Sequence, residues 1–296
     1  MADRSMQEIR SSYAGQLLAA AGIPADPPLL AAFASVPREH FTGAPPWELR
    51  GGGREHAALS SDPADLYRDV LVTLDADKGL NNGSPSLHAA GLHALVPRTG
   101  ETALHIGAGT GYYSAILAEL VGPEGRVVAV EVDAVMAARA RRCLRPWANV
   151  ELFEGNGADW PRRPADIVYV NFAVDRPAER WVDMLASGGR LLFPLGVPAG
   201  PARGSAPTYS ARAGYLLVTR TPQGLAARFL QGVSFVWSAA IPLADDESHA
   251  RLGAALRRGG GAAAVRSLRW KTPQVAGEWY SEEDWGLSTE PPGGGV

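Results

Sequence analysis

Three glycines and one glutamate carry the strongest chemical signal in the sequence. Leu104-His-Ile-Gly107-Ala-Gly109-Thr-Gly111-Tyr112 is an apolar strand that runs into a glycine-rich turn opening a helix. Glycine lets the backbone approach a ligand closely, and a helix N-terminus presents unpaired N–H groups. Twenty positions after Gly111, at the end of the next apolar run, stands Glu131. A carboxylate there accepts hydrogen bonds from both hydroxyls of a ribose. The two features together predict a site for an adenosine-type ligand, whereas the glycine triplet alone would equally serve as a connecting turn.

Spacing narrows the ligand. A dinucleotide fingerprint reads G-x-G-x-x-G, and Tyr112 occupies the place of its third glycine, which argues against a nicotinamide oxidoreductase. Gly155-Asn156-Gly157-Ala158-Asp159 follows the third apolar run. Asn156 offers an amide donor and acceptor suited to a purine edge, with a plain strand-to-helix turn as the competing reading. Asn171 follows the fourth run, where open α/β sheets place ligand contacts; a helix cap competes. Asn81-Asn82-Gly83-Ser84 precedes the first strand and offers hydrogen-bond donors, although Asn and Gly also make tight turns. No H-E-x-x-H or clustered carboxylate predicts a metal, so His93, His105 and His249 receive no role.

The elements that must hold these residues follow from periodicity. Residues 5–42 read as two short helices, a helical cap, with Ile9, Tyr13, Leu17 and Leu18 at three- and four-residue steps. Residues 43–63, rich in Pro and Gly, read as loop. Apolar runs at 102–106, 126–130, 150–153, 167–170 and 190–193 alternate with helix-length stretches at 112–121, 134–144 and 178–186. That alternation predicts an α/β fold, a doubly wound, mostly parallel sheet. Runs at 214–219 and 226–235 add antiparallel strands around a turn at 222–224, and 245–258 reads as a helix with acids first and arginines last. Past 259–261 the pattern dissolves, and 291–296 reads as a disordered tail. The expected division is 1–98, an N-terminal cap and substrate-side segment; 99–240, the ligand-binding core; and 241–296, a C-terminal extension.

Composition excludes several classes. The 296 residues are 46% hydrophobic and 20% charged, which describes a folded globule. A net charge of −3 lacks the excess of basic residues that nucleic acid or anionic membranes select. One cysteine excludes an intrachain disulfide, and no run reaches the ~18 apolar residues of a membrane span. Cytoplasm is the expected location.

The compressed glycine motif resembles motif I of class I methyltransferases, whose ligand is S-adenosylmethionine. Over most of residues 30–240 the chain resembles protein-L-isoaspartate (D-aspartate) O-methyltransferase. The matching segments are Ala34-Ser-Val-Pro-Arg-Glu-His-Phe41, Ser84-Pro-Ser-Leu-His-Ala89, Ile106 to Tyr112, Glu131-Val-Asp133, Gly155-Asn-Gly157 and Leu185-Ala-Ser-Gly-Gly-Arg-Leu-Leu-Phe-Pro-Leu-Gly196. The resemblance implies a Rossmann-like fold. It also implies S-adenosylmethionine contacts from His88, Gly107, Ala108, Gly109, Gly111, Tyr112, Glu131, Val132, Asn156, Gly157, Ala158 and Asn171.

The departures from the family are near the acceptor. Its T-I-S-A-P-H-M-H-A segment carries a serine that touches the carboxylate to be methylated. Aligned on Pro85 and His88-Ala89, this chain has Gly83 in the serine's place and Ser84 one position later. The family's G-D-G is Gly155-Asn156-Gly157, and its late V-P-L-T is Val236-Trp237-Ser238-Ala239. These changes, with the extra length before 30 and after 240, imply a specialised substrate. Similar divergent homologues methylate aspartates of ribosomally made peptides.

A carboxylate is already ionised at neutral pH and attacks a sulfonium methyl without a base. Alignment and exclusion of water are then the protein's contribution, worth up to ~7–11 kcal/mol in well-oriented cases. Asn82, Gly83 and Ser84 are the expected catalytic loop, with Asn81, Asn82 and Ser84 orienting the acceptor oxygen. The expected partner is thus a peptide, a protein or a small carboxylate. A small-molecule O-methyltransferase, which would need a base for a phenol or alcohol, and a cofactor-binding protein without turnover remain alternatives.

Overall fold

The computed structural model describes residues 5–51, 54–200, 209–238, 240–241, 244–258 and 261–293. The glycines at 52–53 and 259–260, Ala239 and the tail residues 294–296 lie outside the described residues. The chain divides into two compact units, Met1–Gly155 and Asn156–Val296. This boundary falls inside the expected 99–240 core.

The first unit opens with α1 (Met6–Ala20), α2 (Pro27–Ser35) and the short α3 (Glu39–Thr42). Ser5 and Glu8 form a capping box on α1, and Asp26 caps α2 ahead of Pro27, which tolerates a first helical position. Tyr13, Leu17, Leu18, Leu29 and Phe33 are buried, as the three- and four-residue spacing requires. The helical cap is therefore present, with one more turn of helix than expected.

Residues 43–63 are not a loop. They contain β1 (Trp47–Gly51) and β2 (Arg54–Ser60), an antiparallel pair in which Gly51, at φ 91°, faces Arg54. Only Trp47 and Leu49 alternate inward on β1. A two-residue apolar period flanked by Pro and Gly is too short to outweigh the loop composition. With β3 (Val70–Asp75) and β4 (Leu80–Asn81) they form an antiparallel sheet in the order β2-β1-β3-β4.

After α4 (Pro85–Leu95) come β5 (Thr102–Ile106), α5 (Tyr112–Val121), β6 (Arg126–Glu131), α6 (Ala134–Cys143) and β7 (Val150–Glu154). The three strands are parallel in the order β5-β6-β7. Every residue of α5 except Glu119 is buried, so the helix is apolar all round. Strand and helix positions here agree with the periodicity.

The second unit contains β8 (Ala165–Val170), α7 (Glu179–Asp183), β9 (Leu185–Pro198), β10 (Ser210–Thr221), β11 (Gly224–Val233), α8 (Asp246–Arg257), β12 (Ser267–Trp270), β13 (Tyr280–Ser281) and β14 (Trp285–Ser288). Their order is β8-β9-β10-β11-β12-β14-β13, with β8 and β9 parallel and the others antiparallel. α7 is shorter than the expected 178–186 because Leu185 already opens β9.

The pattern does not dissolve after 261, since three further strands extend the sheet. Their core is a buried ion pair, Arg269 Nε to Glu278 Oε1 at 2.7 Å, whose guanidinium also donates to the carbonyls of Glu282 and Trp285. Charged residues inside and short strands hide this region from a hydropathy reading. Among the described residues no helix is long and apolar enough to cross a membrane.

Candidate active site

The glycine turn after β5 has a conformation that demands its sequence. Gly107, Gly109 and Gly111 have φ of 75°, 56° and 95°, a region L side chains avoid. A Cβ on Gly111 would also meet Leu144 Cδ1 at 2.8 Å, whereas one on Gly109 would meet nothing within 4 Å. Gly111 therefore serves packing, and Gly109 borders open space.

The turn is tied to β6. Gly107 and Ala108 donate their N–H groups to the Val130 carbonyl at 2.9 and 3.1 Å. Gly109 N–H donates to Glu131 Oε2 at 2.7 Å, and Asp133 N–H donates to Oε1 at 2.9 Å. Glu131 is only 8% exposed. Burial pushes its carboxyl pKa up, while the main-chain donors of Asp133 and Gly109 pull it down. One main-chain donor on each oxygen fixes the carboxylate and leaves lone pairs for a ribose diol. The adjoining Val132 is 49% exposed, an apolar surface against which a base can lie. These residues fit an adenosyl group.

Tyr112 contributes differently from the expectation. Its side chain is buried against Phe33 and Phe41, with ring centroids 6.4 and 5.5 Å away, so only its main chain is left to serve the turn. Its neighbour Tyr113 stacks on His88 at 3.7 Å and 11°. The sequence reading assigned Tyr113 no role.

The acceptor loop, Asn81–Ser84, is held by its own polar groups. Asn81 Oδ1 accepts Gly83 N–H at 2.9 Å, a side-chain turn that places Gly83 at φ 75°. Asn82 Oδ1 accepts Val72 N–H at 2.9 Å and Arg38 Nη2 at 3.3 Å; its Nδ2 is buried without a partner. Ser84 precedes α4, with its hydroxyl 3.4 Å from Asp69 Oδ1 and 3.2 Å from Ser86 Oγ. Asp69 Oδ1 also accepts Ser86 N–H at 3.0 Å. The oxygens of Asn81 and Asn82 and the Ser84 hydroxyl are thus engaged in building the loop.

Arg38 is the anchor that sequence reasoning passed over, although it lies within the Ala34–Phe41 segment. It is fully buried, and its guanidinium donates to the carbonyls of Leu66, Arg68 and Val70 and to Asn82 Oδ1. All four acceptors are neutral. Lys78 pairs with Asp133, whose Oδ1 caps α6 through Val135 and Met136. Burial raises the Asp133 carboxyl pKa, but the Lys78 hydrogen bond and charge, together with the N–H groups of Met136 and Val135, outweigh it and the net shift is downward.

His88 is buried beneath Gly83. A Cβ on Gly83 would overlap its Nε2 and lie 2.7 Å from its Cδ2. Burial, with His105 and Arg38 nearby, holds its pKa well below the ordinary value. His105 Nδ1 lies 2.7 Å from Ser114 Oγ, and burial lowers its pKa to about 3. Both rings are neutral at physiological pH.

In the second unit Asn156 is committed to its turn. Its Oδ1 accepts Ala158 N–H at 2.9 Å and its Nδ2 donates to the Ala240 carbonyl at 3.1 Å, which favours the turn reading of this residue. The Gly157 carbonyl accepts Trp181 Nε1 at 2.9 Å. Asn171 follows β8 and is partly buried. Ser238 Oγ accepts Ile241 N–H at 3.0 Å, and Trp237 packs edge-on to His249.

No Asp–His pair was legible in the sequence, yet the fold makes two among the described residues. His93 meets Asp26, and His249 meets Asp175, each at 2.7 Å. Both carboxylates also accept main-chain N–H groups, of Leu29 and Ala244, so they tie elements together. No group of three potential metal ligands occurs among the described residues.

The profile of the family described as "Protein-L-isoaspartate(D-aspartate) O-methyltransferase (PCMT)" matches residues 53–203. A protein-L-isoaspartate O-methyltransferase of Ignicoccus hospitalis is 30% identical over 223 residues, covering 73% of this chain and 88% of that protein. A protein-L-isoaspartate O-methyltransferase 2 of Anaeromyxobacter sp. is 32% identical over 241 residues, covering 79% and 85%. A solved structure from Plasmodium falciparum, described as a protein-L-isoaspartate O-methyltransferase in complex with S-adenosyl-L-homocysteine, is similar with a TM-score of 0.58. It is 18% identical and covers 77% of this chain and 97% of its own, a likeness of fold. On this coverage the chain belongs to the protein-L-isoaspartate(D-aspartate) O-methyltransferase family and is an S-adenosylmethionine-dependent methyltransferase.

Proposed function

We propose that the chain esterifies an aspartyl- or isoaspartyl-type carboxylate in a peptide or protein, with a specialised acceptor. The observation that carries the reading is the glycine turn locked to a buried Glu131 carboxylate, in a chain related to isoaspartyl methyltransferases over most of its length. When bound, S-adenosylmethionine supplies a methyl group on a positively charged sulfur. Glu131 holds the ribose and Val132 packs on the base, while the main chain of Gly107, Ala108, Gly109 and Gly111 leaves room for the rest. Gly157, Ala158 and Asn171 complete the proposed contacts, with Asn156 acting by shaping its turn.

An ionised acceptor carboxylate needs no proton removed, so the residues of the chain align it and keep water out. Specialisation is supported by Gly83, which brings no hydroxyl to the acceptor loop. The test offers labelled S-adenosylmethionine with an isoaspartyl peptide, the same peptide with aspartate, and a small carboxylic acid. A methyl group released as methanol by mild base, from a peptide, is the expected result. A base-stable methyl ether on a phenol or alcohol would replace this reading by that of a small-molecule O-methyltransferase.

A further inference from the structure

Burying a positive charge is costly unless a carboxylate balances it. Arg38 is fully buried, and its guanidinium donates to the carbonyls of Leu66, Arg68 and Val70 and to Asn82 Oδ1, none of them charged. Among the described residues it makes no ion pair. The neighbouring carboxylates are turned to other donors. Glu39 accepts the Tyr67 hydroxyl and pairs with Arg10, while Asp69 Oδ1 accepts Ser86 N–H at 3.0 Å and lies 3.4 Å from Ser84 Oγ. Arg38 Nε and Asn82 Nδ2, both donors, are buried without a partner. Hydrogen bonds to neutral oxygens hold the side chain in place but leave its charge uncompensated.

That charge sits behind the acceptor loop. Asn82, which takes Arg38 Nη2 at 3.3 Å, is the residue immediately before Gly83. The charge also reaches His88, the ring that lies beneath Gly83. Burial, then His105 and Arg38, hold that imidazole well below its ordinary pKa. At Tyr13 burial raises the phenol pKa and Arg38 works against the rise. Salt screens a buried charge far less than an exposed one, so the positive potential behind the loop is a fixed property of the fold.

We infer that the counter-ion of Arg38 is the acceptor carboxylate, and that Arg38 is the positioning residue that makes the loop select an anionic acceptor over a neutral one. The inference rests on the carboxyl-acceptor reading above. Arg38 touches no reacting atom; it acts through Asn82 and through space. A carboxylate arriving at the loop is drawn in and kept ionised, the form that attacks a methyl group, whereas an amide of the same shape gains nothing from the charge.

Binding to the full chain loaded with S-adenosylhomocysteine tests this. An isoaspartyl peptide and the same peptide carrying isoasparagine are titrated into wild type, Arg38→Lys, Arg38→Met and Asn82→Asp, and ester formation on the isoaspartyl peptide is measured with S-adenosylmethionine. Wild type is expected to prefer the isoaspartyl peptide by about tenfold or more. Arg38→Lys keeps the charge and is expected to keep most of that preference, whatever overall affinity it loses. Arg38→Met is expected to bring the two affinities within about twofold. Asn82→Asp keeps the shape and the acceptor oxygen of Asn82 but gives Arg38 a counter-ion inside the protein. It is expected to remove the preference as well, and it carries the test if Arg38→Met does not fold. A purely structural Arg38 would weaken both peptides alike and leave their ratio unchanged.

A preference that persists in Arg38→Met or Asn82→Asp, one lost as fully in Arg38→Lys as in Arg38→Met, or a wild type that esterifies the isoaspartyl peptide without preferring it would each overturn the proposal. Wild type that neither binds nor esterifies the isoaspartyl peptide would count against the carboxyl-acceptor reading itself and take the proposal with it. An active wild type whose peptide ratio is the same in every variant would count against Arg38 alone.

Discussion

At the scale of single residues, Glu131 and the two buried histidines make opposite uses of burial. Glu131 stays useful because each oxygen takes a main-chain donor. Glu131→Gln keeps the shape but removes the charge that strengthens such bonds. Calorimetry should show S-adenosylhomocysteine bound about tenfold more weakly, near 1.4 kcal/mol; unchanged affinity would contradict the ribose role. His105 behaves otherwise, its pKa lowered by burial from 6.5 to about 3. Below pH 6.5 the unfolded chain takes up a proton that the folded chain refuses. Stability present at neutral pH is therefore lost as pH falls from about 6.5 toward 3, by up to about 1.4 kcal/mol per unit for such a group. His88 adds in the same direction. Urea denaturation between pH 6.5 and 5 should show the decline, and His105→Gln should flatten it. Glu131 was legible because its spacing from the glycine turn is fixed by one strand–helix–strand unit. The burial of His88 beneath Gly83 was not, since it depends on a backbone angle that the residue types leave open.

Among elements, the regular alternation from β5 to β9 was readable because its strands carry short apolar runs, α5 is bounded by Gly111 and Gly122, and α6 is capped by Asp133. The hairpin of β1 and β2 was not, since Pro and Gly dominate around its few inward residues. The acceptor loop depends on that hidden small sheet through Arg38, which clamps the carbonyls of Leu66, Arg68 and Val70 together with Asn82. Arg38→Met should cost about 3 kcal/mol, because the carbonyls of Leu66, Arg68 and Val70 and the Asn82 amide oxygen each lose a hydrogen bond, Arg68 and Asn82 keeping those from the Val70 and Val72 N–H groups. Urea denaturation reads the loss, and amide exchange at Val72 should rise with it. A cost under about 1 kcal/mol, as for an exposed residue, would show that the clamp is dispensable.

Over the whole molecule, the N-terminal unit carries the glycine turn, Glu131 and the acceptor loop, and the C-terminal unit is built on a longer antiparallel sheet than periodicity indicates. Strands β12 to β14 pair onto β11 through Leu225–Leu268 and Ala226–Ser267 and bury Trp285 and Leu287. They are part of the fold, so truncation after residue 261 should expose the β11 edge and lower the melting temperature or drive aggregation. A truncated chain that melts like the full one would make them an appendage. Their alternation was masked by short length and by the Arg269–Glu278 pair inside. The central claim, methyl transfer from S-adenosylmethionine to a carboxylate, is tested most directly by locating the transferred methyl group by tandem mass spectrometry in an acceptor peptide. The account predicts it on an aspartyl-type carboxyl oxygen, removable by mild base. A methyl group on nitrogen, sulfur or a phenolic oxygen would contradict it.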